Sequence, residues 1–302
     1  MSISAFSGPV VSYGSAPYAL DYNPEAGPSL FFGGAAILDP RPFYTYEPGQ
    51  DFGNVTAGWL GISRVLTVNQ VPSTLSATNI ATSQTPVSGT ALVLTAGTGV
   101  TGATTITNAS TGFQVTGLLA LDGAAGRVSY GSSGTIQLWD PTKALSRVVS
   151  ITTAAGDTAV YTVRGYDIYG YPMTEALTAA GATTVTGKKA FKYVASITPV
   201  GTVGATATAG TGDVFGFPIY TQAFVIGADA DVAISWNGAA ITATTGYLAG
   251  VTTNPATATT GDVRGTYAVQ SASDNTKRLV FTQSPSLANI GTIAGLTGVS
   301  QA

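Results

Sequence analysis

Asp231-Val232-Ala233-Ile234-Ser235-Trp236-Asn237-Gly238-Ala239-Ala240-Ile241-Thr242 reads as a β-hairpin. Val232, Ile234 and Trp236 alternate with Ala233 and Ser235, the period-2 pattern that gives a pleated strand one apolar face. Asn237-Gly238 readily supplies the two positive φ angles of a type I′ turn, so residues 239–242 are expected to return antiparallel.

The same grammar recurs through most of the chain. Short alternating runs at 159–167, 266–271 and 278–282 are separated by turns of Gly, Asn, Asp and Thr, the spacing expected of sandwiches and barrels. In 191–198, Phe191, Tyr193, Ala195 and Ile197 fall on one face, with Lys192, Ser196 and Thr198 on the other. Residues 165–172 read as a strand end and a turn leading into a strand over 173–178. Helix signals are confined to single turns after Asp140-Pro141 and Ser284-Pro285.

Composition points the same way. The chain has 302 residues, 38 of them Gly, and only 9% are charged, against about 25% in an ordinary globular protein. Thr and Val are β-branched and fit a pleated surface, whereas Glu, Lys, Leu and Arg, among the better helix formers, are sparse. The expected fold is all-β, with an N-terminal extended arm followed by one or two antiparallel β-sandwich or barrel domains. Domain limits are expected at 1–60 for the arm, 61–210 for a sandwich-like domain and 211–302 for a second β domain or C-terminal subdomain. The Gly/Thr/Ala-rich passages 95–107 and 200–212 read as loops or linkers, or else as flat, weakly specified strands.

Residues 1–60 are unlike the rest. They hold seven of the fifteen prolines and eleven of the twenty-eight aromatic residues. Proline at this density excludes regular helices and central strands, while disordered segments are normally poor in aromatics. An extended arm that buries its rings on a partner, or a cap packed on its own body, satisfies both constraints. Phe31, Phe32, Phe43, Tyr44, Tyr46 and Trp59 are the candidate partner-binding anchors.

Several chemistries are excluded or disfavoured. With no His and no Cys, neither Ser-His-Asp nor Cys-His catalysis is available, and thiolate metal sites and disulfides are ruled out. Gly97-Thr98-Gly99-Val100-Thr101-Gly102 matches the dinucleotide fingerprint in letters. The β-branched run 103–108 that follows is a poor start for the helix whose amides must face the pyrophosphate. The acids at Asp122-Gly123, Asp140-Pro141 and Asp213 read as turn formers. Asp229 and Asp231 could share a strand face, but two carboxylates fall short of a Ca²⁺ shell. The expectation is therefore no enzyme, with no catalytic residues, no cofactor and no metal.

Twelve Lys+Arg against fifteen Asp+Glu, a formal net charge of −3, cannot supply a broad phosphate-neutralising face, so nucleic acid is not an expected partner. Only Lys188, Lys189 and Lys192 cluster, and they read as a solvated strand edge that discourages edge pairing. Residues 1–11 lack the basic and apolar regions of a signal peptide, and no apolar run is long enough for a membrane helix. No membrane partner is expected, and assembly in the cytoplasm is. Low surface charge offers little repulsion between copies, which suits a homo-oligomer, dimer or trimer, held in an assembly.

Three stretches together resemble tailed-bacteriophage virion structural proteins. They are Tyr22-Asn23-Pro24 through Gly27-Pro28-Ser29-Leu30-Phe31 with Leu38-Asp39-Pro40-Arg41 and Tyr46-Glu47-Pro48-Gly49-Gln50; Arg164-Gly165-Tyr166-Asp167 with Gly170, Thr174-Glu175 and Gly187-Lys188-Lys189-Ala190-Phe191-Lys192; and Thr260-Gly261-Asp262-Val263-Arg264-Gly265-Thr266-Tyr267. The resemblance implies a non-enzymatic virion component, a decoration or cement protein that binds the major capsid protein. It transfers no functional residue. A phage tail or fibre component is the alternative within structural proteins. A carbohydrate- or receptor-binding module using Tyr166, Tyr169 and Tyr171 is the alternative outside them.

Overall fold

The computed structural model describes residues 66–107, 114–123, 127–130, 136–139, 145–168, 170, 172–217, 232–241, 246–251 and 258–283. The arm residues 1–60, including all six candidate anchors, lie outside the described residues, as do Asp140, Asp229, Asp231, Tyr169, Tyr171 and Ser284-Pro285.

The described chain is all-β, without a helix. In chain order the strands are β1 Leu66–Gln70, β2 Ser76–Gln84, β3 Val100–Thr107, β4 Gln114–Leu121, β5 Arg127–Tyr130, β6 Ile136–Trp139, β7 Arg147–Thr153, β8 Val160–Tyr166 and β9 Pro172–Thr178. They continue with β10 Thr184–Phe191, β11 Tyr193–Val200, β12 Ala207–Gly216, β13 Val232–Trp236, β14 Ala239–Ala240, β15 Tyr247–Leu248, β16 Thr266–Ala268 and β17 Leu279–Gln283. Every pairing among them is antiparallel.

Three main sheets result. One has the order β3-β4-β11-β8-β9; a second runs β10-β7-β12-β16-β15, with β2 also pairing β12; the third is β1-β17-β13-β14. β5 and β6 form a separate ribbon.

The first two sheets face each other across the larger core. Leu119, Leu121, Tyr161, Val163, Met173, Leu177, Val194 and Ile197 come from one side, and Ile80, Val149, Ile151, Phe191, Ala207 and Ala209 from the other. A second core joins Phe215, Phe217 and Tyr267 to Val68, Ile234, Trp236, Leu279 and Phe281 of the third sheet. Its aromatic contacts include Phe217 with Phe281, whose ring centroids lie 5.0 Å apart, within the range of favourable tilted pairs.

β12 serves both cores. Ala207 and Ala209 enter the larger one, and Phe215 and Phe217, at and just past its end, enter the second. Residue 210, where composition suggests a boundary, sits in mid-strand, paired with Ser150 of β7. The change of core happens along one continuous strand. The passage 95–107 likewise contains a strand, β3, paired with β4.

The quoted hairpin forms. Asn237 and Gly238 have φ of 52° and 84°, Ser235 and Trp236 pair with Ala240 and Ala239, and Ile234 and Trp236 are buried while Ala233 is exposed. The run 191–198 departs from simple alternation. β10 ends at Phe191, β11 begins at Tyr193, and a register shift between Val194 and Ser196 makes Ala195 the extra residue of a bulge. The bulge leaves Ala195 exposed and buries both Val194 and Ile197, as expected when one inserted residue inverts the facing pattern.

Candidate functional site

Charge is scarce in this chain, and the fold turns much of it inward. Arg147, Asp157, Asp167, Glu175, Lys189, Lys192, Asp262 and Arg264 are all buried. Buried charge is costly unless paired and hydrogen-bonded, so these residues gather into networks with dense polar contacts.

The first network centres on Arg147, the opening residue of β7. Its guanidinium meets Asp122 at 3.1 Å and Asp213 at 2.5 Å. It also donates to the carbonyl oxygens of Gly212 and Ser73 and to the hydroxyls of Ser73 and Ser273. The cation lies 5.1 Å from the centroid of the Phe215 ring, close enough for a cation–π contribution. One planar fork thereby holds the turn after β4, the middle of β12, the segment before β2 and the segment after β16.

Lys192 backs this junction. Its Nζ donates to the carbonyl oxygens of Leu121, Asp122 and Gly123. Burial pulls the ammonium down to about 8, against the stabilising charge of Asp122.

The second network lies where the edges of the two facing sheets meet. β10 loses register with β7 between Thr186 and Ala190, so the amides of this bulge need other acceptors. Glu175 of β9 supplies one, its Oε1 accepting the N–H groups of Lys188 and Lys189. Oε2 has no hydrogen-bond partner among the described residues. It sits over Gly187, where any Cβ would collide with it. Burial pushes the Glu175 carboxyl up to about 7, against the two amides and Lys189.

Asp262 closes the cluster from the loop before β16. Its carboxylate accepts the amides of Ala190 at 3.0 Å and Arg264 at 2.8 Å. Burial raises its pKa despite Arg264 and those amides. Burial likewise lowers the pKa of Lys189, against the charges of Glu175 and Asp262. Arg264 in turn pairs with the buried Asp167.

The sequence-based placement of the lysines and acids changes accordingly. Lys188 is exposed as an edge lysine should be, but Lys189 and Lys192 are fully buried. Asp122 does form a turn, with φ of 51°, and also binds Arg147. Asp213 lies within β12 and is an ion-pair partner. No local signal in the sequence marks this burial, because the partners of each charge lie far along the chain.

Of the candidate glycan-facing tyrosines, Tyr166 is half-buried and packs on Leu118, Ala120 and Tyr193. The glycine motif 97–102 leads into a strand, with Gly102 inside β3, so no helix N-terminus stands there for a pyrophosphate. Among the described residues, no three acids converge as a metal site, and no helix is long and apolar enough to cross a membrane.

No family model matches the chain, and no curated protein or solved structure matches it.

Proposed function

We propose that this chain is a structural component of a tailed-phage particle, a decoration or cement protein that binds the major capsid protein in the virion. The observation that carries the reading is the pairing of β1 with β17, in which Leu66 stands opposite Gln283. The Pro- and aromatic-rich segment therefore joins the body at an edge strand, beside the end of the last described strand. An arm attached there can lie along a shell while the β body stays folded beside it.

The body's exterior supports the same reading. With Arg147, Lys189, Lys192, Arg264, Asp157, Asp167, Glu175 and Asp262 buried, few charges of the described residues face outward, and copies at high local density repel each other little. Each bridging contact adds burial present only in the assembled state, so particle stability rises by mass action. Phe31, Phe32, Phe43, Tyr44, Tyr46 and Trp59 are the proposed anchors.

The test is decoration of purified shells by the full chain and by residues 61–302. The full chain should bind at a copy number set by the shell lattice, and the truncated chain should not bind. Wild-type occupancy by the truncated chain overturns the arm mechanism, and a copy number of only a few per particle assigns the protein to a tail instead.

A further inference from the structure

We infer that Asn237 is a spontaneous modification site, the position at which this chain first deamidates, to aspartate and isoaspartate through a cyclic imide. The inference rests on the β13–β14 hairpin and is independent of any capsid role.

Deamidation begins when the backbone nitrogen that follows an asparagine attacks its side-chain carbonyl carbon. The residue's own backbone joins the two atoms, so no distant partner is needed. What governs the step is whether the side-chain amide and the attacking nitrogen are free of hydrogen bonds, and whether the following side chain blocks the approach. Glycine, without a Cβ, blocks it least. Asn237-Gly238 is the only Asn-Gly pair in the sequence.

The four asparagines among the described residues differ on these points. Asn79 is buried, its Nδ2 donating to the Thr98 carbonyl and the Thr211 hydroxyl while its Oδ1 accepts the Thr211 N–H. The Oδ1 of Asn69 accepts from Arg278, and the next residue, Gln70, is paired with Leu279 in the β1–β17 ladder. Asn275 is followed by Thr276, whose N–H is held by Asp274. Asn237 is exposed, and its backbone N–H donates to the Arg278 carbonyl. Neither its side-chain amide nor the Gly238 N–H has a hydrogen-bond partner among the described residues. Beyond the chain neighbours, no heavy atom lies within 4 Å of the place a Gly238 Cβ would take, so water reaches the turn.

The attack requires the turn to open from its resting geometry. The return strand resists little, because β14 is only Ala239–Ala240, both exposed, and short exposed elements open at small cost.

The step balances with solvent water as the one co-reactant. Gly238 N bonds to Asn237 Cγ, the Cγ–Nδ2 bond breaks, and ammonia leaves carrying the Gly238 proton. Water then opens the imide. Cleavage of the new N–Cγ bond gives aspartate, and cleavage of the original backbone C–N bond gives isoaspartate, with the main chain rerouted through Cβ. Isoaspartate adds a carbon to a two-residue turn whose match to the strand twist depends on its length. Ala239 and Ala240 then lose register with Trp236 and Ser235.

The experiment ages the purified full chain in mildly alkaline buffer beside a synthetic peptide of residues 232–242, and follows both by proteolysis and peptide mapping. The expected result is a mass gain at Asn237, equal to the difference between a hydroxyl and an amino group, before any other asparagine changes. The gain should divide between two products, one of them a substrate for an isoaspartyl methyltransferase, at a rate within about tenfold of the peptide's. Slower conversion, or a gain that comes first at another asparagine, overturns the inference. Asn237→Gly keeps the positive φ of the turn and should show no gain in this segment; a gain that persists there overturns it as well. The converted chain should melt below the fresh one, and an unchanged melting temperature overturns the loss of register.

Discussion

The hydroxyl of Ser273 donates to the carbonyl oxygen of Ser73 at 2.8 Å across 200 positions of sequence. Both residues also accept from Arg147, and the Ser273 amide and hydroxyl are held by Asp213. The two ends of the described chain are thereby locked to the same cation.

Arg147→Met should be among the most destabilising single changes in the body. It leaves Asp213 without its ion-pair partner and Asp122 with only the neighbouring charge of Lys192, and breaking a buried pair costs about 3–5 kcal/mol. Urea unfolding should show a large fall in midpoint. Arg147→Lys should recover little of it, because a lysine cannot reproduce a planar fork that reaches six acceptor groups. Adding Asp122→Asn and Asp213→Asn to the methionine variant should restore part of the loss.

Glu175 makes stability depend on pH. Its carboxyl titrates at about 7 in the folded chain against 4.5 as the ordinary value, so the unfolded chain gives up this proton first. Between those values the unfolded state holds fewer protons, and stability falls as pH rises. The total change is about 3 kcal/mol, complete above pH 7 and absent below 4.5. Glu175→Gln should remove this slope from a series of denaturation curves taken between pH 4 and 8. A slope unchanged by the substitution rules out Glu175 as a source, whereas a reduced one leaves the remainder to Asp262, whose pKa burial also raises.

Removing residues 1–60 should leave the body's melting temperature nearly unchanged, since β1 begins at Leu66. Extending the deletion through Gln70 should lower it by several degrees. The longer deletion strips the partner from the β17 edge and takes the buried Val68 out of the second core. Thermal unfolding of the two truncations side by side reads the difference.

Asn237→Ala should cost roughly 1 kcal/mol, because alanine tolerates positive φ poorly at this turn. Asn237→Gly should cost less. Equal stability of all three chains in chemical denaturation would mean that the hairpin turn contributes nothing to the fold.

Much of the fold was readable from local pattern. The alternation around Val163, Ile234 and Phe281 and the Asn237-Gly238 turn are properties of a few neighbouring residues, and they set strand positions and facing. The bulge at Ala195 was not readable, because an inserted residue changes facing only relative to a partner strand. The two charge networks were not readable either. Asp122, Arg147 and Asp213 are scattered along the chain, and nothing local to any of them announces the other two.

Local pattern was enough to make this a protein of β-strands, because backbone preference and the period of side-chain alternation act over a few residues at a time. It also set the chemical inventory, with no imidazole or thiol and few charges. Tertiary structure alone decided where those few charges go. Burial depends on which strands face each other, and packing the edge strand β9 of one sheet against the edge strand β10 of the other, with β12 running through two cores, placed Glu175, Lys189 and Arg147 inside.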